Sequence, residues 1–220
     1  MAARAGRGAD AASAQTGDPN LWDRVENASA RRVLQAALVS FSERGYHATT
    51  TRRISQRADL SPTAMYAHYR SKMDLLVVIS EIGHAAVLEA VDAAIADGTD
   101  TTDRVRRLVR TFTAWHARNH TVARVLQYEM RTIPAERFGP IRALRRDTEA
   151  RLRDLLRAGI AESVFAIGDL EVATVSILSM GIDVARWYDG EPDPTALADA
   201  QSELVMRMIA VPNQERSEIG

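Results

Sequence analysis

Residues 50–72 read TTRRISQRADLSPTAMYAHYRSK. The first half of this stretch predicts a short helix, because Thr50 can cap its start and Ile54 and Ala58 are spaced to face inward. The second half predicts another short helix after a break of two residues. Two short helices joined by a tight turn, and packed on a preceding helix, form a helix-turn-helix motif.

The second short helix has a clear start. Ser61 can act as its N-cap, and Pro62 occupies the first helical position, where its missing N–H costs nothing. The helix runs to about Tyr69, and Met65 is spaced to face the core. The turn before it begins at Asp59, near the end of the first helix.

In a helix-turn-helix motif the second helix lies in the major groove of DNA. With Met65 and Tyr69 facing the core, Thr63, Ala64, Tyr66 and His68 are left for solvent or DNA. Thr63 and Ala64 are small enough to approach base edges, whereas Tyr66 and His68 can donate hydrogen bonds to phosphates. Ser61, at the start of the helix, is counted with the DNA-binding residues.

Charge is distributed unevenly along the 220 residues, although the net charge is only −1. Residues 21–80 hold nine basic and five acidic side chains, whereas residues 81–220 hold 17 basic and 22 acidic ones. A basic segment on an acidic body is an arrangement typical of DNA-binding proteins.

The same region resembles the TetR family of transcription regulators. The matching positions are Ala36, Ala37, Phe41, Gly45, Tyr46, Thr49, Thr50, Ile54, Ala58, Ser61, Tyr66, Ala67, His68, Tyr69, Ser71, Lys72, Leu75 and Leu76. The resemblance implies an all-helical homodimer that binds a near-palindromic operator and whose body binds a small molecule. It also implies phosphate contacts by four residues and base contacts by Thr63 and Ala64. The four are Thr50, Tyr66, His68 and Lys72.

Two residues depart from the family pattern. Asp59 stands where glycine is usual, and aspartate tolerates left-handed backbone better than most residues, so we expect the turn to survive. Arg53 replaces the usual acidic residue, so that Arg52 and Arg53 form a basic pair. Either arginine can reach phosphate or remain a solvated surface group, and the sequence leaves both readings open.

Lys72 is the only lysine beside 27 arginines. It begins the predicted fourth helix, and we expect it to point toward the backbone of bound DNA. The alternative is that its position has no functional meaning.

The whole chain is predicted to be all-α, with about nine helices of amphipathic spacing. We expect a disordered tail over residues 1–24, a helix-turn-helix domain over 25–73 and a ligand-binding and dimerisation domain over 74–212. The predicted helices cover residues 28–44, 50–59, 62–69, 72–96, 101–118, 121–131, 134–159, 169–188 and 194–210.

A second set of matching positions lies in the body, at residues 116–118, 123–125, 129–131, 134, 152, 155, 156, 159 and 184–188. At these positions the body resembles a TetR subgroup that controls the breakdown of fatty acids, sterols or other acyl-CoA substrates. The resemblance implies an apolar or acyl-CoA-like effector, held by apolar walls and a few polar anchors. The predicted effector residues are Phe112, Trp115, His116, Tyr128, Glu129, Met130, Met180, Asp183, Arg186 and Trp187. Core packing is the alternative for each apolar residue, and an ion pair with Asp183 is the alternative for Arg186.

The last two predicted helices have broad apolar faces. These faces can pack on the body as core, or on a second copy as a four-helix dimer interface. The family resemblance favours the dimer.

Other classes of protein are less consistent with the sequence. It contains no cysteine, and we expect no cofactor, no catalytic residues and no membrane segment, in a cytoplasmic protein. His116 and His120 lack the glutamate of a His-Glu-x-x-His zinc site, so no metal site is expected. The alternatives to a ligand-responsive repressor are a ligand-independent architectural or activator protein that binds DNA, and a helical interaction module.

Overall fold

A computed structural model describes residues 17–211 of the chain. These residues form nine α-helices, which confirms the predicted all-α architecture. The helices are α1 (Ala28–Ala48), α2 (Thr51–Arg57), α3 (Pro62–His68), α4 (Lys72–Ala96), α5 (Thr101–Arg118), α6 (His120–Glu129), α7 (Gly139–Ala161), α8 (Leu170–Trp187) and α9 (Pro194–Ile209). Three short 3-10 segments accompany them, at Pro19–Trp22, Met130–Thr132 and Ala135–Arg137.

The first helix ends its regular part at a glycine. Asn27 caps α1 by accepting hydrogen bonds from the N–H groups of Ser29 and Ala30. Gly45 has a φ of 76°, a left-handed value that interrupts the helix. The predicted end at residue 44 is therefore correct for the regular part of α1, and one further turn follows the glycine.

The sequence-based bounds were least accurate between α6 and α7. The predicted helix over 121–131 ends earlier, at Glu129, and continues as a 3-10 turn. The predicted start of the next helix at residue 134 was wrong, because α7 begins at Gly139. Pro140 explains the difference, since it lacks an N–H and is accommodated only before a helix or in its first turn.

The described residues divide into two compact units, and the divisions fall within α4 and α7 and just before the last residue of α5. The first unit holds residues 17–86 together with 118–143. This grouping differs from the predicted boundary between residues 73 and 74, because α6 packs with the N-terminal helices. A Cβ on Gly83 of α4 would lie 2.8 Å from Leu126 of α6, so this contact requires glycine.

The segment before α1 is ordered from residue 17 onward. Leu21 and Trp22 are buried, and the backbone N–H of Asp18 donates to Oδ1 of Asn119 over 2.8 Å. The predicted disordered tail over residues 1–24 was therefore wrong for residues 17–24, since two large apolar side chains are anchored in the first unit. Residues 1–16 lie outside the described part of the chain.

The second unit holds residues 87–117 and 144–211 of the described chain, and includes most of α5 and all of α8 and α9. Its core includes Val105, Leu108, Leu152 and Val205, all fully buried. Close packing of α5 against α8 depends on Gly181, where a Cβ would lie 2.6 Å from the ring of Phe112.

Polar contacts join α5 to α9 at the surface of the second unit. Arg106 pairs with Glu203 over 2.8 Å, and Arg110 pairs with Asp199. Exposed pairs of this kind add little stability individually, so the apolar core carries most of it.

Candidate nucleic-acid interface and effector region

The turn between α2 and α3 has the hydrogen bonds of a Schellman motif. The N–H of Leu60 donates to the carbonyl of Ser55 over 3.0 Å, and that of Asp59 to the carbonyl of Gln56 over 3.2 Å. Asp59 has a φ of 54°, the left-handed value that this motif demands. The expectation that aspartate replaces glycine here without loss of the turn is confirmed.

The start of α3 also matches its prediction. The Oγ of Ser61 accepts a hydrogen bond from the N–H of Ala64 over 3.1 Å, and Pro62 occupies the first turn. Met65 is fully buried, whereas Thr63 is exposed and Ala64 half-buried. The side of α3 opposite Met65 is therefore available to DNA.

Tyr66 and His68 are both exposed on α3. The hydroxyl of Tyr66 lies 3.1 Å from Oγ1 of Thr51, which joins α3 to the first turn of α2. Thr50 is exposed and caps α2, with its Oγ1 accepting from the N–H of Arg53 over 3.3 Å. Hydroxyl and N–H donors are thus gathered around the start of α2 and the outer side of α3.

The two arginines of α2 differ in exposure. Arg52 is exposed and Arg53 half-buried, and within residues 17–211 neither forms an ion pair with a carboxylate. Arg57, one turn further along, pairs with Glu43 of α1. The first turn of α2 therefore carries positive charge that the described protein does not neutralise.

Lys72 is engaged inside the first unit. Its Nζ donates to the carbonyl oxygens of Tyr46 and Thr49 over 2.6 and 2.7 Å, and lies 4.1 Å from the centroid of the Tyr46 ring. Desolvation by burial lowers the pKa of Lys72, while the negative charge of Glu129 acts in the opposite direction. The expectation that Lys72 points toward the DNA backbone needs correction, because its ammonium group is directed at these carbonyls.

Glu129 also differs from its predicted role. Its Oε1 accepts a hydrogen bond from the backbone N–H of Tyr46 over 3.1 Å, so it serves the helix-turn-helix region instead of an effector. Tyr46 and Glu129 are 83 positions apart, and no local pattern signals a contact at that separation. Nearby, Arg137 pairs with Asp74 over 2.7 Å. Sequence reasoning missed this cluster around Tyr46.

Four predicted effector residues with aromatic or apolar side chains are partly or fully buried in the second unit: Phe112, Trp115, His116 and Met180. The Nδ1 of His116 is 2.8 Å from the carbonyl oxygen of Phe112, and their rings are 4.3 Å apart. Trp115 and Met180 pack against the core cluster of this unit. These four candidates therefore lie on α5 and α8.

The remaining effector candidates are half-buried or exposed. Asp183 and Arg186 form an ion pair over 2.8 Å, which is the alternative that the sequence left open for Arg186. Trp187 is 51% exposed, and Tyr128 is 58% exposed. Tyr128, Glu129 and Met130 belong to the first unit, so the predicted effector set is divided between the two units.

Two buried polar atoms were missed by the sequence reading. The hydroxyl of Thr113 on α5 and the Nε2 of Gln201 on α9 are buried in the second unit without a hydrogen-bond partner. A buried polar atom without a partner carries a desolvation cost of about 1–3 kcal/mol. Thr113 had no sequence signal, because a threonine at a core position of a helix usually bonds to its own backbone.

A surface hollow of about 350 Å³ lies at the start of α5. Its lining includes Asp100, Asp103 and Glu162, with Arg106 as the basic residue. This acidic lining does not suit an anionic effector, and the hollow contains none of the predicted effector residues.

Among residues 17–211 no cluster of three or more histidine or acidic side chains has the arrangement of a metal site. Over the same residues no helix has the length and apolar character required to cross a bilayer.

The chain belongs to the TetR family. Residues 33–79 match the model for bacterial regulatory proteins of the tetR family, and residues 98–209 match the tetracyclin repressor-like C-terminal domain. It is therefore a DNA-binding transcription regulator of that family, as the resemblance of residues 36–76 implied.

Two relatives match most of the length of this chain. A solved tetR-family regulatory protein from Rhodococcus RHA1 is 39% identical, covers 85% of this chain and 100% of its own, and superposes with a TM-score of 0.80. The transcriptional repressor KstR2 of Rhodococcus jostii is 26% identical over 170 residues, which are 76% of this chain and 83% of KstR2.

Two further similarities are more limited. AibR, solved in complex with isovaleryl coenzyme A and operator DNA, has a TM-score of 0.73 over 80% of this chain and 97% of its own, but at 20% identity this shows the fold alone. The activator FasR of Mycolicibacterium smegmatis is 32% identical over 81 residues, and this match spans 37% of either chain.

Proposed function

We propose that this regulator is a ligand-responsive repressor, which binds a near-palindromic operator as a homodimer and is released by an apolar, acyl-CoA-like effector. The observation that carries the DNA-binding part is the exposed side of α3 beside the unneutralised first turn of α2. Phosphates require positive charge and hydrogen-bond donors, and this surface supplies both.

Each DNA contact has a proposed role. Thr63 and Ala64, on the outer side of α3, read base edges. The groups proposed to hold phosphates are Thr50, Arg52, Arg53, Ser61, Tyr66 and His68. The hydrogen bond between Tyr66 and Thr51 favours this assignment for Tyr66, because it holds the phenol hydroxyl at the boundary between the two helices.

The dimer is proposed to form through α8 and α9. Val172 and Val175 on α8 are 62% and 54% exposed, and Leu204 and Met208 on α9 are 43% and 54% exposed. Large apolar side chains grouped on neighbouring helices are a mark of protein–protein contact surfaces. Pairing these helices with those of a second copy would bury them and place two reading helices on one operator.

The effector is proposed to bind in the second unit beside α5. Phe112 is buried and Trp115 half-buried in the apolar core of this unit, and the buried hydroxyl of Thr113 lacks a partner. An effector with an apolar chain and a polar head would satisfy both features. AibR, which has the same fold, was solved with an acyl-coenzyme A, and this favours testing that class of ligand first.

A thermal-shift screen of acyl-CoA species tests the effector. We expect one chain-length class to raise the melting temperature, and the same species to weaken DNA binding in a gel-shift assay. Coenzyme A without an acyl chain is the control. No stabilisation by any acyl-CoA would exclude this effector class, whereas stabilisation with retained DNA binding would exclude release.

A second candidate is a transcriptional activator. The activator FasR is 32% identical to this chain over 81 residues, and this similarity leaves the direction of regulation open. A reporter gene placed behind the selected operator distinguishes the two, because a repressor lowers its expression and an activator raises it.

A further inference from the structure

The turn that precedes α2 is held by an unusual number of polar contacts. We call residues 45–49 the Tyr46 turn. Within it, the hydroxyl of Thr49 donates to the carbonyls of Ser40 and Gly45 over 2.9 and 2.8 Å. Thr50, the cap of α2, follows directly, so the path of the Tyr46 turn determines where α2 begins.

Lys72 contacts the Tyr46 turn from the start of α4. Two of its ammonium protons are directed at the carbonyls of Tyr46 and Thr49, and the carbonyl of His47 lies 3.5 Å away. The ammonium also lies over the Tyr46 ring, a favourable cation–π arrangement. A lysine has three donors, and this turn accounts for all of them.

Glu129 contacts the same turn from the C-terminal end of α6. Its Oε1 accepts from the N–H of Tyr46 over 3.1 Å, and a Cβ on Gly45 would approach that oxygen to 3.3 Å. Its negative charge also stabilises the Lys72 ammonium. The carboxylate and the ammonium thus hold donor and acceptor groups of one backbone turn.

We propose that Glu129 and Lys72 are positioning residues for DNA binding, which fix the Tyr46 turn and thereby the start of α2 without touching DNA themselves. The proposal rests on the DNA-binding function and adds two residues that act through the Tyr46 turn. Electrostatic attraction to DNA does not account for both roles, because one side chain is acidic and the other basic.

The sign of the Glu129 effect separates positioning from electrostatics. Removal of an acidic side chain should by charge alone strengthen binding to a polyanion. Loss of the hydrogen bond to Tyr46 should instead weaken binding to DNA. We therefore expect Glu129→Ala to lower the affinity for DNA about tenfold, the effect of one lost charge-assisted bond. Glu129→Gln keeps an acceptor oxygen and should bind within about twofold of wild type.

Salt dependence separates positioning from phosphate contact at Lys72. Lys72→Met keeps the apolar stem over Tyr46 and removes the ammonium. We expect about tenfold weaker binding with an unchanged slope of log K against log salt. A lost phosphate contact would instead flatten that slope by about 0.9. Glu136→Ala removes an exposed acid from the same unit and is the charge control for Glu129→Ala.

The experiment is fluorescence anisotropy at several salt concentrations, with a duplex selected by the wild-type protein from a random pool. Amide hydrogen exchange of the Tyr46 turn is measured in parallel. The proposal is supported if Glu129→Ala weakens binding and speeds exchange at Tyr46, while Glu129→Gln does neither and the slope for Lys72→Met stays at the wild-type value.

Two results would overturn it: Glu129→Ala binding as tightly as wild type, or Lys72→Met flattening the salt slope. Either leaves the DNA-binding function intact. Failure of the wild-type protein to select any duplex would instead remove that function, and this proposal with it.

Discussion

Asp59 holds left-handed backbone in the turn between α2 and α3, at a φ of 54°. A side chain other than glycine in this region costs about 1–2 kcal/mol, and aspartate reduces that cost through local hydrogen bonding. Ser163, with a φ of 57°, occupies the equivalent position after α7. Both residues therefore keep a Schellman motif at some expense in stability.

Replacement of Asp59 with glycine should raise the free energy of unfolding by about 0.5–1 kcal/mol, because strain relief exceeds the added entropy of the unfolded chain. Urea denaturation followed by circular dichroism measures the change. Ser163→Gly is the matched variant in the second unit and should act in the same direction. A lower unfolding free energy for Asp59→Gly would contradict this reading of the turn.

Thr113 offers a test of the unpaired buried hydroxyl. Thr113→Val is nearly isosteric and removes a polar atom that has no partner, so we expect the free energy of unfolding without effector to rise by about 1 kcal/mol. Thr174→Val is the control, because the Thr174 hydroxyl donates to the carbonyl of Leu170 over 2.7 Å and its removal should not stabilise. Equal effects of the two substitutions in urea denaturation would contradict the assignment.

Arg52 tests the phosphate-binding surface of α2. Arg52→Ala should weaken binding to all DNA sequences alike and flatten the salt slope by about 0.9. Arg57→Ala is the matched control on the same helix, since Arg57 is paired with Glu43 and should change the slope less. Equal slopes for wild type and Arg52→Ala, measured by fluorescence anisotropy, would remove Arg52 from the phosphate contacts.

At the scale of the helices, local signals predicted the structure where caps and breaks are strong. Ser61 and Pro62 fixed the start of α3, and the break at residues 97–100 separated α4 from α5. Prediction failed between α6 and α7, because two short 3-10 turns have no periodicity to read. It also failed before α1, where Trp22 is buried and the N–H of Asp18 bonds to Asn119, 101 positions further along the chain.

The sequence predicted the outward side of α3 but not the contacts of Lys72 and Glu129. The outward residues of α3 followed from the buried position of Met65 and helical spacing. The roles of Lys72 and Glu129 could not be inferred from the sequence, because their partners in the Tyr46 turn are 23 or more positions away. Long-range hydrogen bonds of this kind depend on tertiary packing, which a local pattern does not encode.

The exposed apolar surface of α8 and α9 makes a prediction about assembly. Val175→Glu places a charge in the proposed dimer interface and should yield a monomer at micromolar concentration, since a buried unpaired charge is strongly unfavourable. Size-exclusion chromatography with light scattering measures the mass. Ala93→Glu, an exposed position on α4, adds the same charge and should leave a dimer. A monomeric wild-type protein would contradict dimerisation.

At the scale of the whole molecule, the uneven charge distribution predicts that affinity for DNA depends on the geometry of the dimer as well as on charge. Residues 21–80 carry an excess of only four positive charges, which is small for a DNA-binding module. Two modules on one operator double the number of phosphate contacts, and the affinity should therefore fall steeply both with salt and with loss of the dimer.

We propose that α3 reads DNA as part of a dimer. The most direct test is selection of duplexes from a random pool by the full-length protein, followed by footprinting on the enriched sequence. We expect a protected near-palindrome whose half-sites are separated by about one helical turn or a multiple of it, and loss of sequence preference in Thr63→Tyr. Enrichment of no sequence, or an unchanged preference in Thr63→Tyr, would contradict the claim.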